Sequence, residues 1–366
     1  MVIVCYCFLT SRKAPRIDHL AVQRPSRMFR VIQTASSLPT LQDPVRRQST
    51  TSRHRQTGAA LPELKTTGSA VLSCTRSTGF LKIIFSRKGF DSGYGGVPSP
   101  ILPDGSLVSF PIPSRFGRPL SELRFGNGTF SEIVSELTHG RIASTRSVHL
   151  DPDLVAGTVP RLPGWCPAFG QTGAAQGHLR NQSVGPGDLF LFFGWYQRVE
   201  NRDGKLQYVG PQIHSLFGWL QIGEVLPVTD CATLCKQRPW LADHPHLQHA
   251  TSIGSNNTVY LATPQLRIGN TYTKVAGAGI FRQWSPLLQL TAPEQNRSVW
   301  LLPGWMLPAN GQPALSYHPK AQAWERLPGD QVRVQTAAKG QEFVLDTPDF
   351  PAAQKWLKRL FAQEGG

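Results

Sequence analysis

The pattern of apolar and polar positions changes character near residue 81. Upstream, beyond a short apolar stretch at 1–9, hydrophobic residues are scattered among Ser, Thr, Gln and Arg with no sustained period. Such a segment buries too little surface to offset the entropy of ordering its backbone, so residues 1–80 are expected to be disordered. Downstream, short apolar runs alternate with clusters of Gly, Pro, Asn and Asp. This predicts strands at 81–85, 106–112, 188–196, 206–209, 217–225, 258–262, 299–302, 331–335 and 342–345. A helical period shows in two places. Thr129 or Ser131 caps a helix through Leu137 whose face is Phe130, Ile133, Val134 and Leu137, with His139-Gly140 as its stop. Residues 352–362 put Trp356, Leu357, Leu360 and Phe361 on one stripe opposite Lys355, Lys358 and Arg359, which predicts a face docked on the domain. With 34 Gly and 30 Pro a long helical bundle is excluded. The predicted class is α+β and strand-dominated, with few peripheral helices.

One stretch says more about architecture. The turn Val184-Gly185-Pro186-Gly187-Asp188 leads into Leu189-Phe190-Leu191-Phe192-Phe193-Gly194-Trp195. A polar hairpin at Asn201-Arg202-Asp203-Gly204 is followed by Phe217-Gly218-Trp219-Leu220-Gln221-Ile222-Gly223-Glu224-Val225. This pair resembles the core of PUA-like barrels of the EVE and ASCH families, which handle RNA or modified bases. The resemblance implies a β-barrel at the centre of the fold; an unrelated buried hairpin would read the same way.

Charge sharpens the division at residue 81. The 366 residues carry 38 Lys and Arg against 23 Asp and Glu, a net +15. Residues 1–80 hold twelve of those cations and three of the acids, while every Trp lies at or beyond Trp165. The basic segment reads as a nucleic-acid arm, a targeting peptide, or upstream sequence translated from a wrong start, with Leu81 marking the true one. The excess left to 81–366 is modest, which weakens but does not remove the expectation of a polyanionic partner, nucleic acid ahead of membrane. Six cysteines are too sparse for a disulfide scaffold in a chain this long, and no apolar run is long enough to span a membrane. A cytoplasmic setting is expected.

Candidate chemistry is densest at Ser86-Arg87-Lys88-Gly89-Phe90-Asp91-Ser92-Gly93-Tyr94-Gly95-Gly96-Val97-Pro98. Arg87 and Lys88 are expected to grip a phosphate or carboxylate, with N–H groups around Gly95 and Gly96 cradling its oxygens. Asp91 would orient a sugar hydroxyl or act as a base. The segment is no Walker loop, because Gly-Lys-Ser/Thr is missing. His149, Asp151 and Asp153 form a second candidate set for acid–base work, or a turn capped by its Asp side chains. Gln171, Gln176, His178 and Asn181 concentrate groups able to read a base edge, or to hold a loop. Cys231, Cys235, His244, His246 and His249 fall within nineteen residues, but the histidine spacing departs from zinc patterns, so no metal is assigned. No Gly-x-Gly-x-x-Gly, Gly-x-Ser-x-Gly or His-Glu-x-x-His pattern occurs, which removes the commonest dinucleotide, hydrolase and metalloprotease classes.

Read together, Ser86 to Asp91, Gly95 to Ile101, Asp104-Gly105, Pro111-Ile112-Pro113, His149 to Leu154, Phe169-Gly170-Gln171, Ala174 to Leu179 and Gly187 to Gly194 resemble the nucleotide modification associated domain 3 family. His214, Phe217-Gly218-Trp219, His244-Pro245-His246 and Asn256 to Tyr260 complete the resemblance, which covers about 81–366. It implies a setting among bacterial or phage enzymes that modify nucleobases, with nucleotide or nucleic acid and other base-modification enzymes as partners; it names no cofactor. The expectation is group transfer to a nucleotide or nucleobase. Asp91, Asp151, His178 and His214 would be the catalytic candidates, and Arg87, Lys88, Gly95, Gly96, Gln176, His244 and His246 the substrate-binding ones. The competing expectation is a PUA-like reader that binds modified nucleic acid without chemistry, stacking a base on Trp195, Tyr196, Phe217 and Trp219. A single site requires Arg87 or Lys88, Asp91, His178 and one of His214, His244 and His246 to share a cleft.

Overall fold

The apolar run that opens the patterned part of the chain becomes an inner strand, flanked on both sides. The computed structural model describes residues 81–308, 315–337, 342–347 and 351–364, so the expectations for 1–80 lie outside the described residues. Eight strands form the main sheet: β1 (Lys82–Arg87), β2 (Ser99–Ile101), β3 (Ala168–Gln171), β4 (Leu189–Arg202), β5 (Lys205–Pro227), β6 (Thr258–Ala262), β7 (Ala278–Ile280) and β8 (Glu342–Asp346). Their order is β8-β1-β4-β5-β6-β3, with β2 beside β4 and β7 beside β5. β1 and β2 run parallel to β4, and the remaining ladders are antiparallel. The expected strand-dominated class is the observed one.

β4 and β5 form the long central hairpin. Asp203 and Gly204 turn it with φ of 54° and 77°, the two positive values that a two-residue turn needs to match strand twist. Side-chain alternation then sorts the core. Ile84, Ser86, Phe190, Phe192 and Glu342 share one face, where Phe169 meets Phe190 and Phe192 at ring-centroid distances of 5.0 and 5.2 Å. Phe85, Phe193 and Phe343 share the other, against Trp300 from the three-stranded sheet of Val299–Pro303, Trp324–Leu327 and Gln331–Gln335. Among the described residues no backbone ladder joins β3 to β8, the outermost strands. A side-chain bond does: Gln171 Nε2 donates to Glu342 Oε1 at 2.5 Å.

Both predicted helices form. α1 (Phe130–Leu137) starts in a capping box between Thr129 and Glu132. The helix Pro351–Leu360 packs Leu357 and Leu360 into the main core, as its stripe predicts. Two local expectations fail. Residues 106–112 do not form a strand beyond a bridge from Leu107 to Ile101; the strand is instead Ile112–Pro119, paired with Ser147–His149. Pro111 lacks a ladder donor, and the N–H groups of Val108 and Phe110 bond to Pro100 O and Ser99 Oγ. The Gly/Ala-rich stretch becomes α2 (Gly173–Asn181), which buries Gln176 and Leu179. Its two glycines weaken helix propensity, so packing rather than local preference holds it.

One further packing unit positions the site. Trp240, Leu241 and Leu247 pack on Ala168, Leu226, Val259 and Leu261, fixing the segment 238–248 against β3 and β6. No helix among the described residues is long and apolar enough to cross a membrane.

Candidate functional site

Gly170 in the middle of β3 begins the site. Its N–H donates to Asp151 Oδ1 at 2.8 Å, and its missing side chain admits the His246 ring. A Cβ there would stand 2.2 Å from His246 Cδ2. His246 reaches this place because His244-Pro245-His246 enters a one-turn helix, Pro245–Gln248, between the buried anchors Leu241 and Leu247. Around the Asp151 carboxylate, His246 Nε2 lies 3.2 Å and His149 Nε2 3.4 Å from Oδ2, while His244 Nε2 lies 3.9 Å from Oδ1. Residues 149–151 and 244–246, distant in sequence, thus converge.

Hydrogen bonds settle which nitrogens carry protons. Asn257 Nδ2 donates to His246 O at 2.7 Å, so Asn257 Oδ1, 2.6 Å from His246 Nδ1, must accept from that ring. His246 Nε2, facing Asp151, is then the other nitrogen of a ring whose Nδ1 is protonated. His244 Nδ1 accepts from His246 N–H at 3.2 Å, which leaves the His244 Nε2–H buried without a hydrogen-bond partner. Burial pushes His244 down to about 3, against the pull of Asp151, so its ring is neutral. Burial alone would raise the Asp151 carboxyl. The contact with His149, with those of His246 and His244, outweighs it and holds the group below the usual carboxylate range.

Asp151 also lines a cleft of about 400 Å³ with Phe110, Arg124, Phe125, Phe130 and Phe217. That is a concave, largely apolar space of ligand-binding size with few polar groups. Asp153, two residues on, takes no part in the cluster. Arg161 forks across its carboxylate at 2.5 and 2.6 Å.

A second polar cluster lies on the opposite face of β3. Phe169 and Gln171 point there by alternation from Gly170. Lys88 Nζ bonds Glu342 Oε1 at 3.0 Å and sits 4.5 Å from the Phe169 ring centroid, and both charged side chains are buried. Tyr260 Oη donates to Gln176 Oε1 at 2.9 Å, and His178 Nε2 lies 3.0 Å from Ser316 Oγ. Glu342 Oε2 and Ser86 Oγ are buried without hydrogen-bond partners. The structure therefore brings Lys88, Gln171 and Gln176 into one region, with His178 at its side.

Arg87 and Lys88 do not share a site. Successive residues of an extended segment point to opposite faces. Arg87 lies over Phe193, in the neighbourhood of His214 and Arg297. His214 accepts from Trp300 Nε1 at 3.0 Å, and burial, reinforced by Arg87 and Arg297, lowers it to about 3. Asp91 is engaged with its own turn: Oδ1 accepts from Gly93 N and Tyr94 N, and its carbonyl accepts from Gly96 N. Those N–H groups therefore face Asp91. Gly95, at φ 89°, leaves room for the Phe90 ring, which a Cβ would meet at 2.1 Å. The cleft takes Asp151 and Gly89 from these segments, and none of Arg87, Lys88, Asp91, His178, His214, His244 and His246 lines it.

Tyr196, Phe217 and Trp219 are buried in the main core, and Trp195 carries Arg297 over its ring. Of these four aromatics, Phe217 borders the cleft. Cys166, Cys231 and Cys235 are free thiols. Sequence reasoning passed over Glu342 and Ser316, and gave Asn257 and Tyr260 no site role beyond their place in the family resemblance. Glu342 opens a strand, where a carboxylate ordinarily faces water, so its pattern gives no sign of burial.

No curated protein matches the chain, and no solved structure does. The local PUA-like resemblance gains no support from these comparisons. The profile of the nucleotide modification associated domain 3 family matches residues 82–346, and the chain belongs to that family of proteins associated with nucleotide modification.

Proposed function

We propose that this protein is an enzyme that modifies a nucleotide or nucleobase, with its chemical centre at Asp151, His149, His244 and His246. The observation that carries this reading is the convergence of three imidazoles on one buried carboxylate that is also part of the cleft wall. A planar base fits among Phe110, Phe125, Phe130 and Phe217, and Arg124 at the rim suits a phosphate. Asp151 fixes the imidazoles. His149, whose side chain is 27% exposed, is the member of the cluster that solvent reaches. Group transfer to the base is the favoured class, in a cytoplasmic setting shared with other modification enzymes.

The reader alternative keeps the cleft and drops the chemistry, and Phe217 at the cleft is the observation that favours it. One experiment separates the two. Full-length protein is incubated with phage DNA and, separately, with nucleotide pools, and nucleosides are profiled by mass spectrometry. A new or lost nucleoside in the wild type, reduced about 100-fold or more in His149→Ala with its fold verified, supports the enzyme. Stoichiometric DNA binding with every nucleoside unchanged sinks it in favour of the reader.

A further inference from the structure

The Asp151 cluster poses an electrostatic question that hydrogen bonds within it do not answer. Asn257 requires a proton on His246 Nδ1, so the neutral ring presents the lone pair of Nε2 to Asp151 Oδ2 at 3.2 Å. Two acceptors that close need positive charge between them, either an added proton or a cation. His149 Nε2 approaches the same oxygen at 3.4 Å, and the three donor atoms lie within 4.8 Å of one another.

The two nitrogen–oxygen spacings match a coordination sphere. An ion about 2.1 Å from nitrogen and oxygen ligands sets neighbouring ligands about 3.0 Å apart in octahedral geometry and about 3.4 Å in tetrahedral geometry. We propose that His149 Nε2, Asp151 Oδ2 and His246 Nε2 bind one divalent first-row transition-metal ion. Two imidazoles and one carboxylate suit zinc, iron, cobalt or manganese, whereas magnesium and calcium prefer all-oxygen shells.

The surroundings have the form of a metal site's outer shell. Asn257 Oδ1 holds the far nitrogen of His246, and Gly170 N–H holds the far oxygen of Asp151. His244 is not a ligand here, since its Nδ1 accepts a backbone N–H. Its Nε2–H, buried and unpartnered 3.9 Å from Asp151 Oδ1, is a donor that an oxygen ligand of the ion, such as water, would satisfy. His149 is the partly exposed ligand, which leaves the ion open on one side. Cys231 and Cys235 lie outside the group. The inference rests on the same residues as the proposed function, but its test reads metal rather than product.

Full-length protein is stripped with a chelator and titrated with Co²⁺, followed by visible absorption and by elemental analysis of the dialysed complex. The expected result is one equivalent bound, displaced by Zn²⁺, with a spectrum lacking thiolate-to-cobalt charge transfer. His149→Ala and Asp151→Asn should each weaken binding by more than about 100-fold, beyond the tenfold to 100-fold loss expected for Asn257→Ala. Binding should survive Cys231→Ser with Cys235→Ser. Circular dichroism of each variant checks its fold, and the wild-type titration stands on its own. No stoichiometric cobalt, a thiolate band abolished by the Cys substitutions, or equal affinity in folded His149→Ala and Asp151→Asn would overturn the proposal. Stoichiometric metal without any nucleoside product supports it and sinks the enzymatic reading. Wild-type turnover by the stripped protein sinks the metal and leaves the enzyme.

Discussion

On one face of β3, Gln171 joins Lys88 and Glu342 in the interior of the curled sheet; on the other, Gly170 admits His246 to the Asp151 carboxylate. Both clusters are buried and both hold a carboxylate, yet they are built differently. Lys88 and Glu342 are one cation and one anion, supplemented by an amide and the Phe169 ring, and they tie β1 to the approaching edges β8 and β3. Asp151 faces three imidazoles, whose charge depends on protons or ions supplied from outside. The first arrangement fixes a fold. The second can change state, which is what binding and chemistry require.

The strongest way to break this contrast is to unpair the interior cluster. Lys88→Met leaves the Glu342 carboxylate uncompensated in the core and should cost about 3–5 kcal/mol in urea unfolding. The double variant Lys88→Met/Glu342→Leu should recover most of that loss. A single-variant change below about 1 kcal/mol would show that the pair does not hold the sheet edges.

Next in size is Gly170→Ala, whose Cβ would meet the His246 ring. Because the segment behind His246 is anchored by buried Trp240, Leu241 and Leu247, the ring cannot retreat freely. The expected cost is about 1–3 kcal/mol, with loss of the His246–Asp151 contact. A thermal melt measures the cost, and His246 ring resonances report the contact.

A pH series sharpens the comparison through His214, which belongs to neither cluster. Burial lowers its pKa to about 3 in the fold, from the ordinary 6.5 of a histidine. Between those values the unfolded chain binds a proton that the native chain does not, so acidification favours unfolding. Below about pH 6 His214 should contribute a loss of about 1.4 kcal/mol per pH unit, fading near pH 3. His214→Gln should make the stability profile shallower by that slope relative to wild type. Parallel profiles would contradict the buried neutral ring.

The smallest expected effect is at the cap of α1, which belongs to neither cluster. Thr129→Ala removes the Thr129–Glu132 capping box of α1 and should cost about 1 kcal/mol by denaturant unfolding. Cobalt affinity should stay at the wild-type value.

Much of the architecture was legible in the sequence. The apolar runs within 81–85 and 188–225, the Asp203-Gly204 turn, the cap at Thr129 or Ser131 and the C-terminal amphipathic stripe are local signals, and each formed as local chemistry predicts, the cap at Thr129. The exceptions differ in cause. Pro111 removed a ladder donor from 106–112, whereas tertiary packing overrode weak propensity in α2.

The candidate site was legible only in its parts. His149, Asp151, His244 and His246 could be named from the sequence because their residue types carry chemistry, but their shared centre depends on β3 lying between the two segments. Adjacency in sequence misled at Arg87-Lys88, because an extended backbone sends neighbours to opposite faces. By itself the sequence determined a strand-rich class, its turns and its caps, since these depend on residues within a few positions of one another. Tertiary structure alone decided which charges are buried, which tautomers the histidines adopt and which carboxylate they surround, because burial and long-range hydrogen bonds exist only once distant strands have packed.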